Sequence, residues 1–196
     1  MARVSTLLLS SLAAISCVSA QLSTNAQYAV NKTRSYFTTA IPLQSATSNI
    51  GYLSCLQYTL NQGPYTTIVP LLNTLTNTFT EGYQQIVTFQ PRLNVSIPEE
   101  KAAGDDIIQS LNAASIETGG AFDKLSQPGT VNLCTIPMVG AAVKKALENL
   151  KAAARPFYLS LATYHSTEGP GIAGLLLGFT SRIDSAIQAF SSIVPV

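Results

Sequence analysis

The sequence predicts an all-α fold: a single helical bundle of about five to six helices over residues 21–196, behind a signal peptide at residues 1–20. Three observations predict it. Apolar residues recur at steps of three and four along most of the chain, the spacing of one face of an α-helix. Pro and Gly punctuate that pattern at Gly63-Pro64, Pro91, Pro128-Gly129 and Gly169-Pro170. No stretch alternates strongly enough to seat a sheet.

The chain opens with Arg3, an apolar block from Leu7 to Ile15, and the small residues Val18-Ser19-Ala20, which a signal peptidase reads. A transmembrane anchor needs about 20 continuous apolar residues, and Ser10, Ser11 and Ser16 interrupt the block. The expected product is a secreted chain with no transmembrane anchor. Of the 11 Lys and Arg, Arg3 leaves with the signal, so the rest balance the 10 Asp and Glu. A formal net charge of zero argues against nucleic acid, whose binding rests on clustered cations. It equally provides no hold on anionic headgroups.

From Thr24 to about Thr39, Ala26, Val30, Thr33 and Phe37 mark a first helix that should end before Pro42. Leu43 to Asn61 carries Ile50, Leu53, Leu56 and Leu60 and predicts a second, with Cys55 inside it. Tyr65 to Phe89 presents Ile68, Leu72, Leu75, Phe79, Tyr83 and Ile86 as one stripe, with Pro70 marking a first turn or a kink. Ser96-Ile97-Pro98-Glu99 has the spacing of a capping box, so a fourth helix starts there, with Gly119-Gly120 expected to break or bend it. Pro137 opens a long run with Val139, Val143, Leu147, Leu150, Phe157 and Leu161 on one face, kinked or split at Pro156. In the last segment, Gly171–Ile193, Ile172, Leu175, Leu176, Phe179, Ile183, Ile187 and Phe190 share a face, and the short turn before it predicts an antiparallel hairpin.

With Cys17 lost in the signal, Cys55 and Cys134 are an even pair in an exported chain, and a disulfide is the simplest reading. The rival is a reactive thiol or a metal site, for which one His and no CxxC offer little. Asn31-Lys32-Thr33 and Asn94-Val95-Ser96 are sequons that predict glycosylation at Asn31 and Asn94.

Chemistry is sparse. His165 is the sole histidine, beside Ser166 and Thr167 near a predicted turn, which suggests a helix cap or surface position rather than a general base. No GxSxG elbow, HExxH or Gly-rich phosphate loop occurs. Glu99/Glu100 and Asp105/Asp106 are adjacent pairs, pointing about 100° apart on a helix, so neither converges on one bond. The expectation is no catalytic residue, metal or cofactor. Tyr52, Tyr58, Tyr158 and Tyr164 are candidates for the mouth of a pocket. Ala141-Ala142, Ala152-Ala153-Ala154, Gly174 and Gly178 let helices approach closely, and Pro156 can splay them again. Two readings follow, a dry apolar cavity or plain close packing.

Ala121-Phe122-Asp123-Lys124-Leu125, after Ile107-Ile108-Gln109-Ser110-Leu111 and the Val95-Ser96 start, resembles the central part of the hydrophobic surface binding protein A family of fungal secreted and cell-wall proteins, the cell-wall galactomannoproteins among them. The run from Ser181 to Phe190 is similar to that family's terminal helix. The resemblance covers roughly Ile68–Ile193, and the Cys55/Cys134 pair and the Ser126–Pro137 loop depart from it. It implies a secreted or cell-wall helical bundle that adsorbs to hydrophobic surfaces or holds a fatty acid or other lipid. An acyl chain between the last two helices would be lined by Leu147, Leu150, Phe157, Leu161, Leu176 and Phe179, which share the inward stripe. The alternative is a secreted effector or inhibitor docking an enzyme or host protein through a helix face, and a small hydrolase is the third reading.

Overall fold

The computed structural model describes residues 23–127 and 137–191, so the signal segment and Cys134 lie outside the described residues. Over them the chain is an all-α bundle: α1 (Thr24–Ser48), α2 (Ser54–Thr59), α3 (Tyr65–Ile86), α4 (Pro98–Ser126), α5 (Pro137–Tyr164) and α6 (Gly169–Ser191). No described residue is in a strand.

The five long helices close a ring in the order α1, α4, α6, α5, α3 and back to α1. Side-chain partners give the directions. Lys32 meets Glu81 and Tyr36 meets Phe79, so α1 and α3 are antiparallel. Arg34 meets Asp106 while Tyr36 meets Thr118, so α1 and α4 run together. Lys151 meets Asp184 and Tyr158 meets Phe179, which makes α5 and α6 the expected antiparallel hairpin. Because α1 separates α3 from α4 in the ring, residues 87–97 cross beneath one end of the bundle, where the Leu93 N–H donates to the Tyr164 carbonyl at 3.0 Å. The short helix α2 lies at the opposite end, against α3 and α5.

Aromatic side chains from all five long helices fill the centre. Phe79 stacks on Phe157 with ring centroids 4.7 Å apart and meets Tyr36 edge-on at 4.8 Å. Phe179 stands 6.0 Å from Phe79 and 5.2 Å from Phe122. Edge-on and offset pairs such as these add about 0.5–1.5 kcal/mol each beyond area burial.

Four local expectations are corrected. First, α1 does not stop before Pro42; it runs through that proline to Ser48. An interior proline costs about 3 kcal/mol, but Ala29, Thr33, Tyr36, Ala40, Leu43 and Thr47 form one unbroken buried stripe across it, and that burial outweighs the lost bond. Second, the helix expected over 43–61 is divided: its first part belongs to α1, the chain turns at 49–53, and only α2 remains. Third, Gly119-Gly120 does not interrupt α4. A Cβ would meet Arg182 at Gly119 and lie 2.7 Å from the Gln44 amide at Gly120, so the pair serves close approach by α6 and α1. Fourth, the capping box is displaced. Pro98 takes the first helical position and makes Ile97 the N-cap without a side-chain bond. Glu100 instead accepts the Asn94 N–H at 2.6 Å, and the Asn94 side chain accepts the Ser96 N–H.

Candidate functional site

The six side chains expected around an acyl chain do face inward. Leu147, Leu150, Phe157 and Leu161 are fully buried, Phe179 nearly so, and Leu176 is half-buried against the core. Phe157 and Phe179 are brought together through Phe79 and Tyr158, which both of them touch. Rings from α1, α3 and α4 occupy the space towards which these two side chains point.

The hydroxyls at the ring centre satisfy one another. The Tyr158 hydroxyl donates to the Tyr36 hydroxyl at 3.3 Å, Tyr36 and Thr118 share a hydrogen bond at 2.9 Å, and the Thr118 hydroxyl donates to the Ala114 carbonyl at 2.8 Å. Burial first, then the charge of Tyr158, pushes the Tyr36 phenol well above its usual value; burial likewise raises Tyr158. Neutral phenols in a satisfied chain are structural groups rather than bases. Tyr158, taken from sequence as a pocket-mouth candidate, is therefore corrected to a core residue.

His165 is also corrected. It is neither a cap nor a surface residue: only 2% of it is exposed. Its Nε2 stands where a side chain on Gly104 would be, 2.6 Å from an ideal Cβ there, with Leu93 beside it. Neither ring nitrogen has a hydrogen-bond partner of ordinary geometry among the described residues. Burial holds its pKa below the usual value, opposed by Glu168 and Asp105 and by the Gly104 backbone. No group of three or more His, Cys, Asp and Glu among the described residues could hold a metal ion.

Several grooves open on the outside of the ring, and two of them are chiefly apolar. One, of about 320 Å³, lies between α3 and α5 beside Pro156 and is closed at one side by residues 89–92; Tyr164 lines it. The other, of about 380 Å³, lies between α4 and α6, lined by Ser115, Ile116, Leu175, Phe179 and Arg182 over Gly174 and Gly178.

The most distinctive surface is α2 with the residues that flank it. Tyr52, Leu53, Leu56 and Leu60 are 76%, 53%, 56% and 72% exposed. Leu53, Leu56 and Leu60 have the spacing expected of a core stripe, yet Ser54 and Cys55 are the buried residues here. Tyr58 packs inward as well, its ring edge-on to Tyr65 with centroids 6.5 Å apart. The inward face is set by the small Ser54 and Cys55, and the leucines are left outside. Ile41, on α1, is 46% exposed. Between Arg34 and Glu81 the chain has no charged side chain at all. Exposed large apolar groups clustered in this way mark a contact surface.

No described helix is long and apolar enough to cross a membrane. Asn31 and Asn94 are both exposed. The chain matches no protein family, no curated protein and no solved structure.

Proposed function

We propose that this is a secreted, non-catalytic protein of the extracellular space or cell wall that adheres to apolar surfaces, lipid included, through the α2 cap. The carrying observation is the outward apolar face of Tyr52, Leu53, Leu56 and Leu60 within a segment free of charge. None of these four side chains carries a charge, so an apolar phase covers them without burying an unpaired ion of their own. Each leucine moved from water into an apolar phase contributes about 1.5–3 kcal/mol. The resemblance to the hydrophobic surface binding protein A family supports the same reading, as do the signal-like first 20 residues and the two sequons. A Cys55–Cys134 disulfide belongs to this picture of an exported chain. Non-reducing peptide mapping should recover it, and two freely alkylated thiols in native protein would refute it.

Adsorption to alkylated beads and to neutral phospholipid droplets tests the function. Wild-type protein should adhere with little dependence on salt, because no ion pair is involved. Leu53→Ser/Leu56→Ser/Leu60→Ser should lose at least about tenfold in affinity, which is a modest share of the expected burial energy. A triple variant that folds normally and still adheres like wild type would remove the cap from the account.

A further inference from the structure

Tyr52, Leu53, Leu56 and Leu60 leave an apolar face in water, and the residues exposed beside it, Gln57, Thr59, Asn61 and Gln62, are polar but uncharged. In an interface between two identical copies related by a two-fold axis, residues near the axis meet their own symmetry mates, so a charge there would face itself. The cap and its flanks bring no such charge. Other exposed apolar side chains do not meet this condition: Ile116 adjoins Glu117, and Leu159 stands one helical turn from Arg155. The area is also of the right order. At their observed exposures the four side chains present on the order of 300 Å² per copy, taking about 60–120 Å² for a leucine and about 150–250 Å² for an aromatic ring. Homodimer interfaces are about 65% apolar, so two such faces imply a total on the order of 1,000 Å², the least that a specific interface needs. Both sequons lie towards the other end of the bundle, Asn94 in the crossing segment and Asn31 in the half of α1 that starts beside it, where Tyr28 meets Phe89. Glycans at those positions leave the cap open to a second copy.

We propose that the α2 face is a self-association surface: two copies of this chain pair cap to cap about a two-fold axis near Leu56, the middle leucine of the three. The pair hides the face that a single copy presents to apolar surfaces. The proposal rests on the reading of the cap as the adhesive face and adds its partner and its regulation, since adhesion then belongs to the monomer. An interface this small makes the dimer weak and reversible, so dilution frees the face.

Sedimentation velocity on the full secreted chain, at concentrations from about 1 to 100 μM, provides the test. Wild type should pass from monomer to dimer and stop there, with little effect of salt. Leu56→Glu, Leu56→Lys and Leu60→Glu should each stay monomeric, because each sets like charges against each other across the axis. An equal mixture of Leu56→Glu and Leu56→Lys should recover the dimer, and added salt should weaken that mixed dimer. A variant that had merely lost its fold would not be rescued in this way, and thermal melts of each variant report unfolding directly. Ile116→Glu, on α4 and away from the cap, should dimerise as wild type does. The proposal is overturned if wild type remains monomeric at about 100 μM, if Leu56→Glu or Leu60→Glu dimerises like wild type, if the mixture stays monomeric, or if Ile116→Glu abolishes the dimer. Adsorption to alkylated beads is read on the same preparations. Wild-type protein that adheres but never dimerises removes this inference and leaves the proposed function standing; protein that dimerises without adhering does the reverse.

Discussion

At the ring centre Phe79 is completely buried and touches rings from α1, α5 and α6. On α2 and at its two ends, three leucines at helical spacing each keep more than half of their surface in solvent. Both regions use large apolar side chains on helices, and only the first recovers their burial energy. The six-residue α2 is too short to be stable alone. It is held by what it turns inward, Cys55 and Tyr58, while the leucines of its outer face stay mostly in solvent. Stability therefore resides in the ring and surface chemistry in the cap, and the two should be separable by mutation.

The largest effect belongs to the centre. Phe79→Ala removes a ring that four other aromatic rings contact, and it should cost about 3–5 kcal/mol as a large-to-small change in a site with little freedom to collapse. Urea denaturation checks it, and a loss below about 1 kcal/mol would mean that the centre is loosely packed.

The next effect probes how tightly the ring closes. An ideal Cβ at Gly82 would lie 2.6 Å from Phe157 Cε2, and that ring is already stacked against Phe79. Gly82→Ala should thus destabilise by about 1–3 kcal/mol through overpacking. Gly174→Ala is the control on the rim: nothing lies within 4 Å of its Cβ, so the higher helix propensity of alanine should stabilise by up to about 1 kcal/mol. Opposite signs for two identical substitutions are the expected outcome in equilibrium unfolding.

These cases show why much of the fold was legible in the sequence and some of the site was not. The stripes of α3, α5 and α6 are long, and a long stripe at a period of 3.6 has one reading. Pro42 and Gly119-Gly120 misled because local propensity competes with tertiary burial, and at those positions burial and close helix approach prevailed. The stripe Leu53, Leu56, Leu60 is real, but periodicity reports that a face exists and not which way it turns. The missing charges on the opposite face were the available signal, since a helix with no charged side has no obvious solvent side. His165 was misplaced for another reason. What buries it is the crossing segment at Leu93 and the bare Gly104 backbone, both distant in sequence.

Protonation of His165 should make a graded effect at the end of the ring away from α2. Its folded pKa lies below the ordinary value because burial disfavours the imidazolium more than Glu168 and Asp105 favour it. The unfolded chain then binds the proton more readily. Stability is complete above the unfolded value of about 6.5 and falls as pH drops from there towards the lower folded value. Denaturant midpoints should decrease between neutral pH and about pH 5, and His165→Gln should flatten that dependence. An equal slope in the variant would assign the loss to other groups.

The smallest change in stability should come from the cap, and it sharpens the comparison most. Leu53, Leu56 and Leu60 are 53%, 56% and 72% exposed, so replacing all three with serine removes little buried surface. Substitutions at exposed positions usually stay within about ±0.5 kcal/mol each, and serine is only slightly poorer than leucine as a helix former. The unfolding midpoint of the triple variant should therefore remain close to that of wild type, far from the loss produced by Phe79→Ala. If the midpoint instead collapses, the leucines hold the fold together, the division between ring and cap fails, and loss of adhesion by the same variant could no longer be assigned to the outer face of α2.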